Sequence, residues 1–217
     1  MDWSMQAAQH RIAANDGIVE PLTDRQRDVL EAVLELIVKG QRPLSMIAVA
    51  RAASCSKETL YRWFGDRDGL LIATVRWQAA KVRGIDLPNG PINSEFLLAA
   101  LTRFASDWLS VLTGPTSIAL NRLAIAEAGS ETLDLGAIVL RNGPVEMARR
   151  IAPLFVAGRA SGLIAYPSES DAFSAFFGLV VGDLQIRMLL GDEAGGTFDI
   201  DRAAEQAARR FMTLFGS

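Results

Sequence analysis

Residues 44–64 read LSMIAVARAASCSKETLYRWF, and the spacing of hydroxyl residues in that stretch is the tightest constraint in the chain. Ser45 and Ser56 each stand just ahead of a short run with helical periodicity. At that position a side-chain oxygen satisfies a free N–H group of the first turn. Only Ala53, Ser54 and Cys55 separate the two runs. Helices so short and so tightly joined cannot pack along their length. They must cross, and the second keeps one face open. That second helix carries Lys57, Glu58, Thr59, Tyr61, Arg62 and Trp63, with Leu60 and Phe64 to anchor it.

The flanking segments are helical as well. Thr23 offers a cap and Asp24 a first-turn acid, followed by a stripe of Val29, Leu30, Val33, Leu34 and Ile37 that Gly40 and Pro43 end. After the break at Gly65-Asp66, a connecting helix is expected from Arg67 to about Val82, burying Leu70, Leu71 and Val75. GIDLPNGP, residues 84–91, is a linker. Beyond it Leu97, Leu101, Phe104, Trp108 and Leu112 recur at spacings of three and four, and Gly114-Pro115 resets the chain into a helix ending near Ala128. A further helix from about Glu131 is interrupted at Asn142-Gly143-Pro144 and resumes to Ala160. Ser168 precedes one apolar helix expected to run unbroken through Phe173, Phe176, Val180, Leu184 and Met188. The last helix, about Ile200 to Leu214, aligns Ala203, Ala204, Ala207 and Phe211. No period-two segment stands out. The expected fold is all-α, with an arm at 1–22, a three-helix unit plus connecting helix at 23–83, and a larger helical bundle at 84–217.

Charge is unevenly spread. The chain of 217 residues has a formal charge of −3, yet between Lys39 and Arg83 nine basic residues face three acidic ones. Such asymmetry suggests that this part meets a polyanion. A single cysteine, Cys55, permits no internal disulfide, which suits a reducing compartment. Its bland role is a small plug in a turn. The N-terminal residues lack a signal-peptide pattern. The apolar run AFFGLVVG stops at Asp183, far short of the ~20 residues of a membrane span. A cytoplasmic protein without a membrane partner is expected. His10 and Cys55 are the only residues of their kinds, so a zinc site of the common type and a Ser-His triad both lack their parts, and no cofactor is expected.

The major groove of duplex DNA admits a helix, and in this docking mode its N-terminal residues reach base edges. Lys57 can donate to guanine, Glu58 can accept from cytosine, and the Thr59 methyl can meet a thymine methyl. Glu58 can equally serve the helix dipole. Tyr61 and Arg62 suit phosphate contacts, and Trp63 either stacks on the backbone or covers the small unit. Ser45, Ser56 and Arg67 mark helix starts, where N–H groups favour phosphate.

Residues 23–82 resemble the DNA-binding domain of the TetR family of bacterial transcriptional repressors. The resemblance rests on Ser45, Val49-Ala50, Ala53-Ser54-Cys55-Ser56, Thr59-Leu60-Tyr61, Phe64, Arg67 and Leu70, with Gly40 upstream. Ser54 stands where the family has a turn glycine, Cys55 where it has valine, and Arg67 where it has a phosphate-binding lysine. LNRLAIAEAGSETLDLGAIVLRNGP resembles the ligand-binding segment of some members. The resemblance implies a ligand-responsive repressor on a palindromic double-stranded operator. It implies a homodimer through the last two helices and a cavity for an unidentified small-molecule effector among the middle ones. Cavity candidates are Phe104, Trp108, Arg122, Met147 and Phe177. Interface candidates are Phe176, Val180, Leu184, Arg187, Ala204, Ala207 and Phe211. A small-molecule carrier with a vestigial helix-turn-helix is the alternative, and the local basic excess argues against it. An enzyme lacks any visible nucleophile-base set.

Overall fold

The computed structural model describes residues 22–41, 44–128, 135–192 and 198–217, and their regular structure is helical apart from an isolated bridge, Ile164 to Gly216. Residues 1–21 of the expected arm and the helix start expected near Glu131 lie outside the described residues. Helix α1 (Asp24–Val38) starts with a reciprocal cap: Thr23 Oγ1 accepts from the Gln26 N–H, and the Gln26 side chain accepts from the Thr23 N–H at 2.9 Å. Helices α2 (Met46–Ala52) and α3 (Lys57–Phe64) are capped by Ser45 and Ser56, which accept from the N–H groups of Ala48 and Thr59. In the turn between them Ser54 takes φ +49°, the one positive φ at a non-glycine position among the described residues. A left-handed backbone costs an L-residue about 1–2 kcal/mol, so this turn is strained where glycine would relax it. Asp66 caps α4 (Arg67–Ala79), accepting from the Gly69 N–H at 2.7 Å.

Past the linker come α5 (Ser94–Leu112), α6 (Pro115–Ala126), α7 (Leu135–Leu140), α8 (Glu146–Ala160), α9 (Glu169–Val181), α10 (Leu184–Leu189) and α11 (Ile200–Phe215). Between α7 and α8 the chain kinks over Arg141–Val145. Gly143 leaves helical geometry there (φ −94°, ψ −106°), and Pro144 has no N–H to donate. The apolar stripe from Phe173 to Met188 is not one helix. Gly182 takes φ +50° and breaks it into α9 and α10, so continuity of apolar residues did not mean continuity of helix.

Two cores result. Helices α5, α8, α9 and α11 form the body around Phe104, Phe155, Phe176 and Phe211, all essentially without surface. The Phe155 and Phe211 rings stack at 5.1 Å, and Phe176 meets Phe211 edge-on at 5.5 Å. The head formed by α1 to α4 buries Val29, Leu30, Val33, Leu60, Leu70 and Leu71. That core does not end at the linker: Leu120 and Leu123 of α6 and Leu135 and Ile138 of α7 complete it. Val82, conversely, packs into the body. Helix α4 and its extension therefore belong to both units.

The body core corrects the expected interface. Phe176, Val180, Leu184, Ala204, Ala207 and Phe211 are at most 9% exposed within a single protomer. Side chains with so little surface can offer little area to a second subunit. The stripes that periodicity reveals are the most apolar faces, and the protomer's own core takes those first. Arg187 is exposed, as an interface residue must be. Its guanidinium bonds Asp192 at 2.7 and 2.6 Å rather than Asp183, which sits at the N-cap of α10.

Candidate nucleic-acid interface and ligand cavity

Helix α3 is held by its inner face and open on its outer one. Leu60 is fully buried in the head, while Ser56, Lys57, Glu58, Tyr61 and Arg62 are exposed and Thr59 is half-buried. The Thr59 hydroxyl lies 3.1 Å from that of Ser56, so both belong to the cap, leaving the threonine methyl as its free chemistry. Hydrogen bonds from the Glu58 backbone N–H and the Ser56 hydroxyl hold the Glu58 carboxyl below the usual range, with a smaller pull from Lys57. Glu58 is thus an ionised first-turn acid. Trp63 and Phe64 pack against the head core, their rings edge-on at 6.3 Å, which places Trp63 among the groups covering the head. Behind the strained turn, Arg25 of α1 donates to the carbonyls of Ala53 and Ser54 at 2.7 and 2.9 Å. Sequence reasoning passed over Arg25. Its position in the first turn of α1, where a cation opposes the dipole, was the available signal.

Ser45 is half-buried, and its hydroxyl caps α2. Arg67 sits in the joint between head and body. Its Nε donates to the Leu44 carbonyl at 3.0 Å, and Nη2 donates to Glu127 Oε1, at the C-terminal cap of α6, at 3.2 Å. At the other end of α4, Arg150 of α8 donates to the carbonyls of Ala79 and Val82 at 2.9 and 2.6 Å. These carbonyls at and just past the helix end have no partner within the helix, and a guanidinium satisfies them and complements the dipole. Glu146 bonds Arg150 in turn at 2.8 Å. Burial pushes the Glu146 carboxyl up, but Arg149 and Arg150 outweigh that and hold it below the ordinary value. Helix α4 is therefore clamped at both ends by ion-paired arginines.

Beneath the C-terminal half of α4 lies a cavity of about 80 Å³. Val75, Gln78, Ala79 and Val82 line it from α4 and its extension, and Trp108, Met147 and Phe177 from the body. Asn142, Gly143 and Pro144 of the kink close one side. Trp108 stacks on Phe173 at 6.0 Å and meets Phe177 at 5.5 Å, giving a rigid aromatic wall. Of the expected lining residues, Trp108, Met147 and Phe177 reach the cavity. Phe104 stands one layer behind Trp108, its ring 6.1 Å away, and does not line it. Arg122 does not line it either: its guanidinium donates to the carbonyls of Met188 and Leu189 at 2.8 and 3.1 Å, closing the end of α10. Sequence reasoning missed Gln78, although a polar residue one turn beyond Thr74 and Val75 on the buried face of α4 was a readable signal.

An exposed helix, tightly joined to its neighbour and mounted on a helix that also roofs an apolar cavity, defines a helix-turn-helix regulator with a ligand-binding body. Comparison with known proteins agrees. The C-terminal domain of AefR-like transcriptional repressors matches residues 99–217, more than half of the chain. A TetR transcriptional regulator from Agrobacterium tumefaciens, known from its crystal structure, is 42% identical, with a TM-score of 0.78 over 90% of this chain and 96% of that one. The flavonoid-responsive regulator FrrA is 26% identical, with a TM-score of 0.66 over 88% and 97% of the two chains. A putative TetR-family regulator from Mesorhizobium loti, 22% identical, shares the fold at a TM-score of 0.69, over 89% of this chain and 97% of its own. A search of curated proteins found no match. The chain belongs to the TetR family of transcriptional regulators. It is a ligand-responsive DNA-binding regulator. Members of this family bind DNA operators and small-molecule effectors, act as dimers, and are generally not enzymes. Among the described residues no single helix is long and apolar enough to cross a membrane.

Proposed function

We propose that this regulator is a repressor that binds a palindromic operator as a homodimer and leaves it when a small, mostly apolar effector enters the cavity beneath α4. The observation that carries the reading is the double role of α4, which supports the recognition helix at its N-terminal end and roofs the cavity with its C-terminal half. The cavity, at about 80 Å³, is smaller than the roughly 150 Å³ that hold benzene in an engineered core. An effector must therefore widen it, and a roof clamped at both ends transmits that displacement to α3. FrrA is described as flavonoid-responsive, which supports an organic effector here.

In the proposed complex Lys57, Glu58 and Thr59 face base edges. Tyr61, Arg62 and the helix starts at Ser45 and Ser56 meet phosphates, and Trp63 braces the helix from behind. The homodimer surface is formed by the outward faces of the last helices, which leave Ile186, Leu190 and Leu214 more than 60% exposed. Selection of bound sequences from a random duplex pool tests the reading. The expected product is a palindrome whose half-sites are centred about 10–10.5 base pairs apart or a multiple of that. Recovery of no preferred sequence would sink it and leave the carrier alternative.

Arg67 has a specific place in this switch. Its guanidinium, held by Glu127 in this conformation, turns to a backbone phosphate on the operator. Glu127→Gln removes the competing carboxylate. For a pair this exposed the gain is about 1 kcal/mol or less per subunit, which corresponds to operator binding tighter by up to about fivefold for each of the two subunits of the dimer. Arg67→Ala is expected to weaken binding to all duplexes alike. Weaker operator binding by a stably folded Glu127→Gln variant would show that the ion pair supports the DNA-bound form.

A further inference from the structure

Gln78 carries an orphan. The residue is 7% exposed, and its Oε1 is buried with no hydrogen-bond partner. Native proteins rarely leave such an acceptor unmet, and an unexplained one calls for a missing partner. Gln78 lines the cavity beneath α4, so the partner has a place to sit. The two neighbouring asparagines do not supply one. Asn121 Nδ2 donates to the Ser117 carbonyl and Asn142 Nδ2 to the Ile138 carbonyl, each at 2.8 Å and each one turn back on its own chain.

The remaining wall fixes the rest of the ligand. Among the described lining residues none is ionisable, so a charged ligand would enter without a counter-charge. Trp108 and Phe177 present ring surface suited to a flat apolar body. Gly143 in the kink of the wall is already out of helical geometry, and a Cβ there would meet nothing within 4 Å. That kink is where the cavity can widen.

Resting on the regulator reading above, we infer that the effector is a neutral, flat, mostly apolar molecule with one hydroxyl, a phenol in the simplest case, which donates its hydrogen to Gln78 Oε1. The hydroxyl is thus read directly by the helix that carries the recognition helix. An ether of the same shape offers only an acceptor and leaves Oε1 unmet.

The test uses the full chain and three phenols of increasing size, namely phenol, β-naphthol and para-phenylphenol, each beside its methyl ether, with β-naphthoate as the charged arm. Binding is read by calorimetry and by thermal shift, and duplex retention is checked in parallel. At least one phenol is expected to bind about tenfold tighter than its ether, the difference of one neutral hydrogen bond. In Gln78→Leu and Gln78→Met the gap should close to about twofold or less, with melting temperature unchanged or raised because the orphan is gone. Naphthoate should not bind. Equal binding of phenol and ether, a gap that survives both variants, preferred binding of naphthoate, or no saturable binding by a protein that still retains duplex DNA would each overturn the inference while leaving the regulator reading in place. Failure of both variants to fold would also overturn it, since Gln78 would then be structural. Loss of duplex retention by the unaltered protein would instead remove the regulator reading itself.

Discussion

Phe211→Ala is expected to lower stability by about 3–5 kcal/mol, a large share of the roughly 5–15 kcal/mol that holds a domain together. The ring has no exposed surface and lies 5.1 Å from Phe155, 5.5 Å from Phe176 and 4.9 Å from Phe215. Removing it opens a void in the centre of the body, where rings from α8, α9 and α11 meet and none can move without disturbing another. The denaturation midpoint should fall sharply, with the helical signal lost in the same transition. Gln206→Ala, on the exposed side of the same helix, should stay within about 0.5 kcal/mol of the parent. A Phe211→Ala protein that keeps its stability and only falls into monomers would place this side chain at a subunit interface and refute its burial in the protomer.

Operator affinity is expected to collapse with salt. A regulator that neutralises about 6–10 phosphates loses about 10³–10⁵ in affinity between about 50 and 200 mM salt, because each neutralised phosphate releases condensed counterions. The basic excess between Lys39 and Arg83 supplies the cations. Arg62→Ala should reduce the slope by about 0.9 for each phosphate contact removed, hence about twice that for a dimer. Thr59→Ala, which removes a methyl and a hydroxyl but no charge, should leave the slope alone and relax sequence preference at one base pair of each half-site. Titration of operator and scrambled duplex at several salt concentrations measures both. A shallow slope for the unaltered protein would sink the proposed mode of docking. A slope unchanged in Arg62→Ala would remove that residue from the phosphate contacts.

The helix starts were legible because capping is local chemistry. Thr23, Ser45, Ser56 and Ser168 each cap the helix expected after them, with the side-chain oxygen accepting from the N–H three residues on. The strained turn was legible only through the resemblance, since Ser54 stands where the family has a turn glycine and takes the left-handed backbone that glycine would favour. The helix end at Gly182 was not, because a glycine inside an apolar run can be tolerated or can break the helix, and neighbouring packing decides which.

Sites built from distant residues were the harder part. Trp108, Met147 and Phe177 reach the cavity, while Phe104, one helical turn from Trp108 on the same stripe, stands behind it. Periodicity reports that both are turned inward and carries no information about which inner surface is a void. Most of the interface candidates are buried in the protomer for a related reason. Ala204, Ala207 and Phe211 mark the apolar face of α11, and a protomer large enough to own a core buries that face itself. The expected phosphate ligand Arg67 shows what local chemistry omits: its partner Glu127 lies 60 residues away along the chain.

By itself the sequence determined most of the helix starts, their caps, the crossed pair at 46–64 and the side chains that pair presents, because all of these depend on neighbours within about one or two helical turns. Only the tertiary structure decided that α6 and α7 complete the head, that α4 is clamped by Glu127-bound Arg67 at one end and by Arg150 at the other, and that Gln78 faces a void with its oxygen unmet. Those features depend on which surfaces remain after the cores have closed, and closure is a property of the whole chain rather than of any window of it.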